Sequence, residues 1–114
     1  MTATSYVAEW AKYFVVTLLV EVAVAAPLLA RSEPRWRAVS AVAFAQLLSH
    51  PAVWFVLPAL GLHRGAYLVV AESWAIVSEL VFYRFVFERL SWTRALGVSA
   101  LANGASLAVG TLLG

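Results

Sequence analysis

The sequence predicts an all-α integral membrane protein, an up-down-up-down bundle of four transmembrane helices. Three observations lead to this fold class. Of the 114 residues, 63% are hydrophobic and only 12% are charged, whereas soluble domains carry charge on about a quarter of their positions. Four apolar stretches each approach the roughly 20 residues that cross a bilayer. The breaks between these stretches are short, which favours antiparallel neighbours.

Composition also excludes several classes of protein. The net charge is only +2, and the basic residues stand between apolar runs rather than on one face, so we expect no nucleic-acid partner. The chain contains no cysteine, which excludes disulfides, thiolate metal sites and a cysteine nucleophile. A Gly-rich phosphate loop is also absent. The sequence therefore predicts no cofactor, and it predicts the lipid bilayer as the main partner.

A single transmembrane domain is predicted over residues 1–114, with spans at about 12–30, 38–60, 66–87 and 94–113. In the first span, Ala23-Val24-Ala25 resembles the cleavage site of a signal peptide. The apolar run is longer than the usual signal-peptide core of about 7 to 15 residues, and its start carries Glu9 as well as Lys12. We therefore expect the first segment to be retained as a span.

The second span contains Pro51, which cannot donate a backbone hydrogen bond and so frees the carbonyl group at position 47. We expect a bend there that aims His50 into the bundle. The third span carries Glu72 and Glu79, seven residues apart and hence on one helix face. Each of the first three spans thus contains a proline or an ionisable residue within its apolar run.

The fourth span is rich in small residues. Ala100, Gly104 and Ala108 recur at four-residue spacing, and such faces let helix backbones approach closely. Ser106 and Gly110 mark a second small face. We expect one face to pack inside the bundle, and association with a second copy or with other membrane subunits to use this span.

Orientation follows from the basic residues of the connections, because short loops rich in Lys and Arg tend to remain cytoplasmic. Six arginines lie near the first and third connections, and only Lys12 and Arg64 lie on the other side. Both termini are therefore predicted outside the cytoplasm. Aromatic residues that favour the headgroup zone stand near the predicted span ends: Trp10, Tyr13, Trp36, Tyr67 and Trp92.

Polar side chains cluster near the middle of every predicted span. An ionisable group at that depth costs at least about 2.5 to 3.5 kcal/mol, so we expect these groups to face other helices or a hydrated cavity. The candidate ligand- or proton-binding residues are Glu21, His50, Glu72, Glu79, Tyr83, Asn103 and Ser106. The alternative interpretation is that they are buried structural carboxyls and polar contacts that hold the helices together.

Local spacing adds three expectations about these groups. Tyr83 lies one turn from Glu79 and is placed to donate to its carboxylate. Arg84 is similarly spaced from Glu88 and is expected to pair with it. His50 is expected either to join a relay or to hydrogen-bond a glutamate. A zinc site is not predicted, because catalytic zinc usually takes three protein ligands and one histidine with scattered carboxylates lacks the spacing.

The run His50-Pro51-Ala52-Val53-Trp54, followed by Glu72, Glu79 and Tyr83 and then by Asn103-Gly104-Ala105-Ser106, resembles small uncharacterised bacterial membrane proteins with four helices. That resemblance implies a bacterial inner membrane and no particular activity. In length, span count and Glu21 the chain also looks like a small multidrug resistance exporter. In that family a protonatable first-helix carboxylate couples protons to cationic substrates. Two glutamates in the third span and a strong charge bias in the loops depart from the exporter pattern.

Three functions fit these observations. The leading hypothesis is binding or transport of protons, a cation or a small solute by the mid-span polar groups. The second is a non-catalytic accessory or assembly subunit of a membrane complex. The third is an intramembrane enzyme acting on a lipid or isoprenoid, with Glu79 or Glu72 as acid or base and His50 as partner. No nucleophile motif supports catalysis, so the sequence favours binding over an enzyme.

Overall fold

The computed structural model describes residues 2–113, and within them it contains four α-helices and no strand. The helices are α1 (Ala3–Leu29), α2 (Arg35–Phe55), α3 (Arg64–Val86) and α4 (Trp92–Leu113), with a short 3₁₀ turn at Leu57–Leu60 after α2. Each α-helix is long and apolar enough to cross a membrane. The prediction of an all-α protein with four helices of membrane-spanning character is confirmed.

Two helix ends differ from the predicted spans for local reasons. Helix α1 begins at Ala3 rather than near residue 12, because Thr2 and Ser5 form a capping box that satisfies the first free backbone N–H groups. Helix α2 ends at Phe55 rather than near residue 60. Pro58 lies in the 3₁₀ turn that follows, and Gly61 ends that turn with a φ of +66°, a conformation that glycine adopts without steric cost.

Each helix packs against two neighbours: α1 and α3 both lie between α2 and α4. At one end of the bundle, the hydroxyl of Tyr6 donates to the carbonyl of Trp54, and the hydroxyl of Tyr67 donates to the carbonyl of Val53. These carbonyls lie in the last turn of α2, where no later helical N–H can reach them. We name this end of the bundle, which holds Tyr6, Trp54 and Tyr67, the tyrosine end.

At the other end of the bundle, Arg37 joins three elements. Its Nη1 donates to Oε2 of Glu33 at 2.9 Å, and its Nη2 donates to the carbonyl of Val86 at 2.9 Å. We name this end the arginine end. The predicted pair between Arg84 and Glu88 is not formed; the Arg84 guanidinium instead lies 5.5 Å from the centre of the Trp92 ring. A flat guanidinium gains a cation–π contact there.

The half of the bundle nearest the arginine end is tightly packed. Alanines dominate it, and small side chains let helices approach closely. Tyr83 and Phe87 are its largest buried side chains. The other buried apolar residues of this half are Ala25, Ala26, Leu29, Ala38, Ala41, Val42, Ala45, Leu90, Ala95, Val98 and Ala102. We refer to this half as the closed half.

The aromatic residues predicted at span ends divide into two groups. Trp36 and Trp92 are exposed, as residues of the headgroup zone would be. Trp10, Tyr13 and Tyr67 instead face other helices. Tyr13 stacks on Trp54, and Trp10 and Tyr67 donate hydrogen bonds within the bundle. The second group therefore contributes to helix packing, which the sequence interpretation did not anticipate.

Candidate functional site

A cavity of about 460 Å³ lies between the four helices in the half nearest the tyrosine end. Its volume falls in the range of small-molecule sites, about 300 to 1,000 Å³. Every helix contributes to its wall. The lining residues are Tyr13, Thr17, Gln46, Ser49, His50, Val53, Trp54, Arg64, Leu68, Ala71, Glu72, Ala75, Asn103, Ser106, Leu107, Gly110 and Thr111.

The deepest part of this cavity is polar. Of the lining residues in α2 and α4, Gln46 and Asn103 lie farthest along their helices from the tyrosine end. Behind this polar floor are Glu79 and Glu21, whose side chains do not line the cavity and are 1% and 0% exposed. The cavity thus ends at two buried carboxyl groups, and the closed half begins beyond them.

Glu79 is the acceptor on which three side chains converge. Gln46 Nε2 donates to its Oε1 at 2.8 Å, and Asn103 Nδ2 donates to its Oε2 at 3.0 Å. The Ser49 hydroxyl adds a longer contact of 3.4 Å to Oε2. All three partners are donors, which is the arrangement that a buried carboxyl acceptor requires. Glu79 therefore ties α2 and α4 to α3 at the bottom of the cavity.

Asn103 is itself held by α4 and α3. Its Nδ2 also donates to the carbonyl of Ser99 at 2.9 Å, and the Ser99 hydroxyl donates to the carbonyl of Ile76 at 2.9 Å. Both amide hydrogens of Asn103 are therefore used, one on Glu79 and one on its own helix. This leaves the side chain little freedom to turn away from Glu79.

Glu21 has a different environment. The Ser106 hydroxyl lies 2.8 Å from Glu21 Oε1 and 3.0 Å from the carbonyl of Ala102. A serine hydroxyl carries one hydrogen, so both contacts are full hydrogen bonds only when Glu21 is protonated and donates to Ser106. The second carboxyl oxygen, Oε2, is buried and has no hydrogen-bond partner. The geometry of Glu21 therefore fits a neutral carboxylic acid.

The two buried carboxyl groups belong to one acidic series. Glu21 lies within electrostatic range of both Glu79 and Glu72. Glu72 is half-buried in the cavity wall, and Arg64 lines the same cavity two turns earlier on α3. The series therefore leads from the cavity wall into the closed interior of the bundle.

Tyr83 lies beyond the carboxyl groups, at the edge of the closed half. It is fully buried and within electrostatic range of both Glu79 and Glu21. The expected hydrogen bond from its hydroxyl to Glu79 is not formed, and the hydroxyl has no partner among residues 2–113. A buried hydroxyl without a partner is rare in folded proteins, so Tyr83 holds an unused donor next to the acidic pair.

His50 lies in the cavity wall but does not contact a glutamate, contrary to one expectation from the sequence. Its Nδ1 accepts a hydrogen bond from Trp10 Nε1 at 3.0 Å. Because Nδ1 is the acceptor, the ring proton of a neutral histidine must be on Nε2. Trp10 therefore fixes the tautomer of His50 and leaves Nε2–H as its only donor.

The candidate site residues predicted from the sequence omit three contributors to this site. Gln46 and Ser49 are direct donors to Glu79, and Trp10 is the partner of His50. A signal for the first two exists: they lie three residues apart at the middle of α2, on the same helix face. No local signal identifies Trp10, because an indole near a span end is equally typical of the headgroup zone.

The two small faces of α4 have different surroundings. Ser106 and Gly110 line the cavity, whereas Ala100, Gly104 and Ala108 are exposed on the outside of the bundle. The expectation that one small face lies within the bundle therefore agrees with the structure. Within residues 2–113 no three His, Asp or Glu side chains group together as metal ligands would.

The fold and the cavity define a helical membrane protein with a polar cavity between its helices and two buried carboxyl groups at the floor of that cavity. Beyond that class, comparison with known proteins adds nothing: no family model matches the chain, and neither a curated protein nor a solved structure matches it. The function must therefore be argued from the geometry of the site itself.

Proposed function

We propose that the protein binds and exchanges protons, or a small cation coupled to them, through the cavity and the acidic series behind it. The observation that carries this proposal is the position of Glu21 and Glu79. Both are buried behind the polar floor of the cavity between the four helices. Buried ionisable groups inside membrane helices are expensive and mark ion or proton pathways by default.

The unequal surroundings of the two carboxyl groups support proton exchange. Glu79 has three hydrogen-bonding side chains around it, whereas the one hydroxyl beside Glu21 already contacts a backbone carbonyl group. Two nearby carboxyl groups in unequal environments are a common acid/base arrangement. The proposed step is transfer of one proton between Glu21 and Glu79. Glu72, which lines the cavity, exchanges protons between this pair and the cavity.

In this proposal the four helices cross the bilayer in an up-down-up-down order, with the arginine end cytoplasmic and both termini outside. The support is the surplus of arginines near the first and third connections. The cavity then opens away from the cytoplasm, and the closed half separates the acidic pair from the cytoplasm. In this proposal the buried Tyr83 hydroxyl, which has no partner within residues 2–113, carries the proton onward from the acidic pair through the closed half. We place the protein in the inner membrane of a bacterium, in keeping with the resemblance to small bacterial membrane proteins.

The proposal is tested with purified protein in liposomes that contain a pH-sensitive dye. Valinomycin and potassium balance the charge, and external acid starts the reaction. Liposomes with protein should acidify faster than empty liposomes. We expect Glu79→Gln and Glu21→Gln to remove most of this difference, since a glutamine cannot carry a transferable proton at this site.

Glu88→Gln provides the matched control, because Glu88 is exposed at the arginine end and outside the cavity. It should exchange protons as the unchanged protein does. Acidification that is equal in empty and protein-containing liposomes would contradict proton exchange. Equal loss in Glu88→Gln would show that the effect of the other variants is unspecific. Replacing the acid pulse with sodium or potassium gradients tests the small-cation form of the proposal.

A further inference from the structure

A second concave site lies on the outside of the bundle, at the arginine end. It is a groove of about 450 Å³ between the last turns of α1 and the first turns of α2. Its wall is apolar and is formed by Val22, Ala26, Pro27, Ala30 and Val39. The two remaining lining residues are Arg31 and Arg35, so one end of an apolar slot carries two positive charges.

The charge of these two arginines is not neutralised by the protein. Within residues 2–113, neither Arg31 nor Arg35 forms an ion pair. Glu33, the one acidic residue of the same connection, is engaged by Arg37 through a 2.9 Å contact. Both arginines are exposed and remain free to bind a negative charge from outside the chain.

The position of the groove indicates where that charge comes from. Trp36, next to Arg35 in sequence, is 71% exposed, and exposed tryptophans at helix ends favour the headgroup level of a bilayer. The arginines then lie at the depth of lipid phosphates, and the apolar wall runs from there toward the hydrocarbon. Basic pockets between membrane helices are known binding places for anionic lipid headgroups.

We infer that this groove binds one phospholipid with an anionic headgroup, its phosphate held by Arg31 and Arg35 and an acyl chain lying along the apolar wall. The lipid fits both parts of the site at once: phosphate oxygens accept hydrogen bonds from guanidinium groups, and the chain fills a slot that has no polar lining. The inference is independent of proton exchange, since the groove is separate from the cavity.

Native mass spectrometry of the purified chain in mild non-ionic detergent tests this inference, with phosphatidylglycerol and phosphatidylcholine titrated separately. We expect one phosphatidylglycerol per chain to bind more tightly than phosphatidylcholine. Each arginine near a charged bilayer surface contributes about fivefold in binding, so the double variant Arg31→Gln with Arg35→Gln should weaken phosphatidylglycerol binding by about 25-fold. Arg94→Gln removes a charge at the same end but outside the groove and should leave binding unchanged.

The apolar wall is tested by filling it. Val39→Trp occupies the groove and should weaken both lipids. Val81→Trp is the matched control on α3: the two valines are 38% and 37% exposed, and Val81 does not line the groove. Helical circular dichroism of each variant establishes that it is folded.

Three results would overturn the inference. The first is equal binding of the two lipids, which would mean that the headgroup charge is not recognised. The second is an equal effect of Arg94→Gln and of the double variant, which would indicate general attraction rather than a site. The third is a combination of two results: an excess of inorganic phosphate displaces phosphatidylglycerol, and Val39→Trp leaves lipid binding unchanged. Together they would indicate a phosphate site that does not hold a lipid chain.

Discussion

Replacing Glu79 with leucine removes the acceptor shared by three side chains at the bottom of the cavity. Gln46 Nε2 then loses its 2.8 Å bond and Ser49 loses its 3.4 Å contact. Asn103 also loses its bond to Glu79, but its Nδ2 lies within 2.9 Å of the Ser99 carbonyl oxygen and 3.3 Å of the Ser99 hydroxyl, so both amide hydrogens keep an acceptor. A buried donor left without a partner costs about 1 to 3 kcal/mol. One such donor and a second that is only weakly bonded at the start give a loss of about 1 to 4 kcal/mol in the free energy of unfolding.

Glu79→Gln is the control for shape. The new amide oxygen can accept from Asn103, and Gln46 can turn its own amide to accept from the new NH₂ group. All the side chains then keep a partner, so we expect a loss below about 1 kcal/mol. A steric-trapping assay in bicelles measures the free energy of unfolding of both variants under the same conditions.

The comparison decides whether Glu79 organises this part of the bundle. A leucine variant as stable as the unchanged protein would refute the reasoning, because it would show that the donors find other partners. Losses of the same size in the leucine and glutamine variants would also refute it. Hydrogen bonds between membrane helices typically give a coupling energy of about 0.6 kcal/mol in a double-mutant cycle. A value of that size for Gln46 and Glu79 would place the stability loss of the leucine variant at the lower end of the expected range.

Three further predictions concern single side chains. Tyr83→Phe removes a buried hydroxyl that has no partner, so stability should be unchanged or higher, whereas a clear loss in the same unfolding assay would reveal a hidden bond. Trp10→Phe removes the donor to His50 Nδ1; ¹⁵N NMR should show the Nε2–H tautomer in the unchanged protein and a mixture of tautomers in the variant, and a mixture in both would contradict the assigned bond. Thr2→Ala removes the cap of α1 and should increase hydrogen exchange in the first turn only, with a local cost of about 0.5 to 2 kcal/mol; unchanged exchange there would show that the cap is not formed.

The depth of the polar groups could be predicted from the sequence, because every membrane helix must centre its apolar run in the hydrocarbon. That argument alone predicts Glu21, His50 and Asn103 in one layer, with Glu72 and Glu79 to either side. In the structure Asn103 contacts Glu79, and Ser106, which lies one turn from Asn103, contacts Glu21. Depth follows from length and rise per residue. Neither quantity depends on which helices are neighbours.

The pairing of these groups could not be predicted, because it depends on how each helix is rotated about its axis. Rotation is decided by many small packing contacts, such as those of the alanines in the closed half. A different rotation of α2 would have brought His50 toward a glutamate instead of Trp10. The start of α1 could not be predicted from the apolar run either, because the Thr2 cap places it at Ala3, ahead of the predicted span.

The central claim is that one half of the bundle holds a cavity open to water and the other half is closed. Ala71 and Ala41 form a matched pair for testing it, since they are 5% and 4% exposed and only Ala71 lines the cavity. The chain has no cysteine, so Ala71→Cys and Ala41→Cys each introduce a single thiol. The measurement is the rate at which a small, charged, membrane-impermeant methanethiosulfonate reagent labels each thiol from either side of the membrane. The account predicts labelling of Ala71→Cys from one side and of Ala41→Cys from neither; an unlabelled Ala71→Cys, or equal labelling of both, would contradict it.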